Sequence, residues 1–142
     1  MTAALHITYE SAPQPDELAT VRAGLSAYNR HHAPDDAYHP VTFFVRNAQG
    51  TIVGGLLGGT FWHWLYVDIL WVSEELRAHG YGSRLLVEAE RIAVERECIA
   101  AQLDTMSFQA LAFYERHGYT VFGVLDNFPP RHRKYFLQKP LV

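Results

Sequence analysis

The stretch Leu70-Trp71-Val72-Ser73-Glu74-Glu75-Leu76-Arg77-Ala78-His79-Gly80-Tyr81-Gly82-Ser83 holds the residue types and spacing best suited to chemistry in this sequence. An apolar run passes into an acidic turn, and two glycines, two positions apart, then open a long amphipathic segment. At such a junction the N–H groups of the first helical turn lack partners and the macrodipole favours negative charge, which equips the loop to hold a phosphate. Gly80 and Gly82 permit a tight turn and a close approach, while Ser83 adds a hydroxyl and Arg77 a cation. The same spacing also describes a strand-to-helix turn that binds nothing. The spacing G-x-G-x-x-G is absent, and so is the Gly-Lys-Ser/Thr of a P-loop, so neither a Rossmann site nor a P-loop is indicated.

Upstream, Asp68 is the sole acid in the apolar run Trp64 to Val72. It lies two residues before Leu70, and strand alternation predicts both side chains on one face. A carboxylate buried among Trp and Tyr has its pKa raised, which suits it to accept a proton; a buried acid satisfied by backbone or Arg is the alternative. His132 competes as a base, because an imidazole titrates near neutrality without help. The eight histidines show no ligand spacing of the His-x-x-x-His kind, and no metal is expected.

The elements that must position these residues follow from periodicity. Leu5 to Tyr9 alternates as a strand does, and Asp16 is a fair N-cap for a helix over Glu17 to Asn29, where Leu18, Val21, Leu25 and Tyr28 share one face. Val41 to Arg46 and Thr51 to Phe61 read as strands joined by the turn Asn47-Ala48-Gln49-Gly50. Gly54, Gly55, Gly58 and Gly59 are read as bending a curved sheet. Trp64 to Val72 is a third strand and Ser83 to Glu97 a strongly amphipathic helix. Ile99 to Leu103 reads as a strand, Phe108 to His117 as a helix ended by Gly118, and Tyr119 to Leu125 and Tyr135 to Gln138 as strands. The order β-α-β-β-β-α-β-α-β-β predicts an α/β (α+β) fold with a mixed sheet in one domain over residues 1–142.

Composition bounds the rest. A chain of 142 residues with 49% hydrophobic, 13% aromatic and 19% charged residues can bury a core without disulfides or metals. A net charge of -3 with scattered Lys and Arg argues against nucleic-acid binding. The lone Cys98 forms no intrachain disulfide, no signal peptide is visible, and Thr60 to Val72 is shorter than a membrane span. A cytoplasmic protein that does not enter membranes is the expectation.

Arg77-Ala78-His79-Gly80-Tyr81-Gly82, preceded by Leu70-Trp71-Val72, resembles the Arg/Gln-x-x-Gly-x-Gly/Ala signature of GNAT (Gcn5-related) N-acyltransferases. Downstream, Ser107-Phe108-Gln109-Ala110-Leu111-Ala112-Phe113-Tyr114 followed by Gly118-Tyr119 is similar to that family's Asn-x-x-Ala-x-x-Phe/Leu-Tyr helix, with Ser107 replacing the usual Asn. Gly24-Leu25, Tyr28-Asn29 and Asp126 to His132 look like a subgroup of small bacterial members. The resemblance implies a GNAT-like, mostly antiparallel sheet splayed at Leu70 to Val72, with acetyl-CoA as cofactor. It further implies a pantetheine arm along Leu70, Trp71 and Val72 and a pyrophosphate on Arg77, Ala78, His79, Gly80, Tyr81, Gly82 and Ser83. Ser107, Ala110 and Phe113 would complete the cofactor contacts, and Tyr114 would protonate the departing thiolate. Acceptor contacts would come from Tyr28, Asn29 and His132, and the acids of those segments suit a small-molecule or peptide amine. An acyl-CoA-binding module without turnover and a protein-interaction domain are the competing readings, and exposed strand ends with abundant aromatics are compatible with a homodimer.

Overall fold

A computed structural model describes residues 3–142. The chain divides into two compact units, one ending at Asp35 and one spanning Asp36–Val142.

The first unit holds one helix, α1 (Pro15–Arg30). Its start is fixed by Pro15 at the first helical position and by a capping box, in which the Gln14 backbone N–H donates to Glu17 Oε1 at 2.8 Å. Gln14 is thus the N-cap, and Asp16, expected in that role, sits in the first turn. No side chain of α1 is buried. Leu5 to Tyr9, expected as a strand, is irregular and exposed. Alternation supplies a face but no partner, and a strand without a paired neighbour has no stability of its own.

The second unit is built on strands β1 (His39–Arg46), β2 (Ile52–Phe61), β3 (Trp64–Val72), β4 (Ala100–Met106), β5 (Thr120–Asp126) and β6 (Arg133–Pro140). A 3-10 turn, Glu74–Leu76, leads to helix α2 (Tyr81–Glu95), and a short helix α3 (Leu111–Arg116) follows β4. The sheet order is β1-β2-β3-β4-β6-β5, antiparallel throughout except for the parallel pair β3 and β4. This is the mixed α/β sheet that the element order predicts, mostly antiparallel as the resemblance implies. The hairpin between β1 and β2 closes where expected, with Asn47 Oδ1 accepting from the backbone N–H groups of Gln49 at 3.0 Å and Thr51 at 2.9 Å.

Helix α2 lies against one sheet face because its apolar side repeats at three and four residues. Leu85, Leu86, Ala89 and Ala93 pack with Leu56, Leu65, Val67, Leu103 and Leu137 of the strands and with Tyr114 of α3. Gly58 is required by close approach, since a Cβ there would collide with the Tyr66 carbonyl. α2 begins two residues before the expected Ser83, which brings Gly82 into its first turn. α3 begins at Leu111 instead of Phe108, because Ser107 to Gln109 form a turn in which Gln109 Oε1 accepts from Met106 N–H at 2.7 Å. Among the described residues no helix is long and apolar enough to cross a membrane.

Candidate active site

Two local irregularities open the sheet at its centre. β3 and β4 pair in parallel from Trp64 with Ala100 to Val67 with Leu103, and there their pairing stops. On the other side of β3 the register with β2 slips between Leu57 and Gly58, so Asp68 is an extra residue on β3. From Ile69 to Val72, β3 is thus paired to β2 alone, and its edge toward β4 is free for an extended ligand.

The bulge corrects the expectation for Asp68. Before it, Leu65 and Val67 face the core; after it, Leu70 and Val72 do. One inserted residue reverses the parity of alternation, so Asp68 does not share a face with Leu70. Its side chain is exposed. The buried setting expected for this carboxylate is absent, and Trp71 beside it is also exposed.

A further acid, Asp104, stands on β4 where the split begins. It is the first β4 residue past the last β3 pairing, and it lies within 3.9 Å of Lys134 Nζ on β6. Burial raises the Tyr66 phenol above its ordinary value, with Asp104 and then Asp68 adding to the rise. Burial likewise pushes Tyr114 up to about 12, with Asp104 as the second cause. Tyr114 is buried in α3 between the rings of Phe113 at 5.1 Å and Tyr119 at 5.9 Å. It is a fully protonated donor at neutral pH. Sequence reading missed Tyr66, Asp104 and Lys134. The alternation Gln102, Asp104, Met106 continues the strand begun at Ala100 and was the signal available for Asp104.

The glycine loop takes the geometry its composition allows. Ala78 and Gly80 are left-handed, at φ +66° and +83°, and Gly80 is the N-cap of α2. The first backbone bond of the helix runs from Arg84 N–H to the Gly80 carbonyl at 3.1 Å. The N–H groups of Tyr81, Gly82 and Ser83 are therefore left without helical partners. Arg77 and His79 are exposed beside them, the Arg77 Nε–H reaching the Val72 carbonyl at 3.4 Å. The Ser83 hydroxyl is engaged with His117 Nε2 at 2.9 Å, at the far end of α3. Gly82 faces Phe113, whose ring would stand 3.5 Å from a Cβ added there. A cleft of about 500 Å³ flanks the same turn, lined among others by Arg46, Tyr81, Ser83 and Arg84.

The second sequence motif converges on the same end of the sheet. Ala110 is the N-cap of α3, its N–H donating to Thr105 Oγ1 at 3.4 Å. Ser107 uses its hydroxyl locally, sharing a hydrogen bond with His132 Nδ1 at 3.2 Å and accepting from Arg133 N–H at 3.0 Å. His132 also packs edge-on against Phe108, with ring centroids 4.9 Å apart. Tyr28 and Asn29 belong to the first unit, near the end of α1, where Tyr28 stacks on His32 at 4.5 Å.

A split parallel pair beside a helix N-terminus with free N–H groups is what holding an extended, phosphate-bearing acyl donor requires. The sequence profile of the Acetyltransferase (GNAT) family matches residues 4–119. The chain belongs to the GNAT acetyltransferase family. Blasticidin-S acetyltransferase of Streptomyces morookaense is 43% identical over 94 residues, covering 66% of this chain and 69% of that protein. A crystal structure of an acetyltransferase from Agrobacterium tumefaciens superposes with a TM-score of 0.90 at 32% identity, covering 96% of this chain and 99% of that one. Another, from Bacillus cereus ATCC 14579, gives 0.84 at 34% identity, covering 94% and 97%.

Membership makes this GNAT chain an acyl-CoA-dependent N-acetyltransferase with acetyl-CoA as its acyl donor. The residues present fit that donor. Three free N–H groups at the α2 N-terminus, with Arg77 beside them, match a pyrophosphate in number and charge, and the free edge of β3 matches an amide-bearing arm.

Proposed function

We propose that this GNAT enzyme transfers acetyl from acetyl-CoA to a primary amine by direct attack within a ternary complex. The observation that carries the reading is the split between β3 and β4, which leaves Ile69 to Val72 unpaired on the edge toward β4. Acetyl-CoA supplies the thioester, an activated carbonyl with a thiolate leaving group. The amine nitrogen bonds to the acetyl carbon as the C–S bond breaks. A free N–H of Leu70 to Val72 is assigned to the developing oxyanion, a role that contributes roughly 3 to 4 kcal/mol where donors are preorganised. Tyr114 gives its proton to the leaving sulfur, and Asp68 takes one from the amine, with His132 as the other base within this end of the sheet.

The pyrophosphate is assigned to Arg77 to Ser83, with Leu70, Trp71, Val72, Ala110 and Phe113 along the arm. Ser107 is reassigned from the cofactor to the positioning of His132, because its hydroxyl is already taken up there. Tyr28, Asn29 and His132 are kept as acceptor contacts. The whole chain is read as one acyltransferase domain, which is supported by a family match running across both compact units. We place it in the cytoplasm, where the single, buried Cys98 stays reduced. A relative named blasticidin-S acetyltransferase makes a small-molecule amine the first acceptor class to test.

The test couples titration calorimetry with acetyl-CoA to an assay of thiol release across a panel of amines that includes blasticidin S. Selective binding with amine-dependent thiol release is expected; binding without release under every amine would leave only an acyl-CoA-binding module. Asp68→Asn is expected to lower kcat/KM at least tenfold with acetyl-CoA affinity unchanged. A change within about twofold would move the base to His132.

A further inference from the structure

Within the second unit, the start of α2 and the end of α3 meet through a polar contact: Ser83 Oγ stands 2.9 Å from His117 Nε2, between residues 34 apart in the chain. His117 lies outside both sequence motifs. Ser83 is the third residue of α2 and one of those whose N–H groups lack helical partners, so its hydroxyl lies beside the donors assigned to the pyrophosphate. His117 is the C-cap of α3, its backbone N–H donating to the carbonyls of Tyr114 at 3.0 Å and Phe113 at 3.3 Å. Its ring packs on Phe113 at 4.8 Å, and Phe113 in turn faces Gly82. The imidazole is thus held at its backbone, on one face and at its tip.

A hydroxyl carries one proton and two lone pairs, and a neutral imidazole one N–H and one bare nitrogen, so the contact runs in one of two directions. With Nε2 bare, Ser83 donates to it and turns lone pairs toward the phosphate site. With Nε2 carrying its hydrogen, Ser83 accepts, and its own proton is left for a phosphate oxygen. Beside an anion only the second direction is favourable. We propose that His117 is a positioning residue for acetyl-CoA, donating from Nε2 to Ser83 Oγ and so aiming the Ser83 proton at the pyrophosphate. The proposal rests on the assignment of the pyrophosphate to Arg77 to Ser83. A serine in a first helical turn otherwise has a local outlet for its proton, the carbonyls of Gly80 and His79, three and four residues back. Held by His117, the hydroxyl is turned away from that outlet.

Calorimetry of the full chain with CoA tests the relay without an acceptor amine or turnover. Ser83→Ala is expected to weaken binding about tenfold, as loss of a hydrogen bond to a charged partner does, and His117→Leu about fivefold or more. The double variant should bind within about twofold of Ser83→Ala alone, because His117 acts through Ser83. His117→Gln, whose amide donates at similar reach, should stay within about threefold of wild type. Circular dichroism and melting of the ligand-free variants check that the fold persists. Independently of any variant's folding, nitrogen-15 spectra of the CoA complex should show His117 Nε2 carrying hydrogen, the signals being assigned by their loss in His117→Gln. A wild type that binds CoA while His117→Leu stays within twofold of it, fully additive losses in the double variant, a His117→Gln chain as weak as His117→Leu, or a bare Nε2 in the complex would each overturn the relay and leave the phosphate assignment standing. A wild type that binds no CoA would overturn both.

Discussion

Tyr114→Phe is expected to lower kcat by about two orders of magnitude or more while acetyl-CoA affinity stays within about twofold. The phenol is pushed up to about 12, by burial first and by Asp104 second, so it carries its proton throughout the working pH range. Positioned proton donors contribute on the order of 10²–10⁴ in rate, and deleting only the oxygen removes that donor while leaving the ring packed between Phe113 and Tyr119. Equal losses in kcat and affinity would instead make Tyr114 a packing residue. The same shift fixes a stability window. The folded-state pKa lies above the unfolded value of 10.0, so the folded chain holds the proton more tightly. The associated stability is complete below pH 10 and is lost as pH rises toward 12. An alkaline unfolding series should show Tyr114→Phe losing less stability than wild type across that window; parallel curves would contradict the shift.

Gly80→Val is expected to weaken acetyl-CoA binding at least thirtyfold. A Cβ at Gly80 meets no atom within 4 Å, so the effect is conformational and not a clash. At φ +83° a β-branched residue costs about 1–2 kcal/mol, and the loop escapes that cost by turning its N–H groups out of the arrangement that suits a pyrophosphate. Gly80→Asn tolerates the left-handed region and is the discriminating control. It should retain affinity within about fivefold. Calorimetry on both variants, with circular dichroism to show that α2 persists, checks the pair; equal affinity of Gly80→Val and wild type would dismiss the loop as a phosphate site.

The sequence alone determined the parts of this protein that are local. The loop Arg77 to Ser83, the amphipathic face of α2 and the Asn47 to Gly50 hairpin each rest on residues within a few positions of one another, and each was legible from spacing and glycine content. The element order, the mixed sheet and the GNAT resemblance followed from these pieces taken together. Tertiary structure decided the rest. Whether Asp68 shares a face with Leu70 depends on a bulge set by the slip between β2 and β3, which alternation within one strand does not register. Asp104, 36 residues from Asp68 in sequence, joins Tyr66 and Tyr114 only because β4 lies beside β3. The strand pattern of Leu5 to Tyr9 is real in the sequence but is not formed as a strand, because a strand exists only where another strand supplies the hydrogen bonds that its own residues cannot.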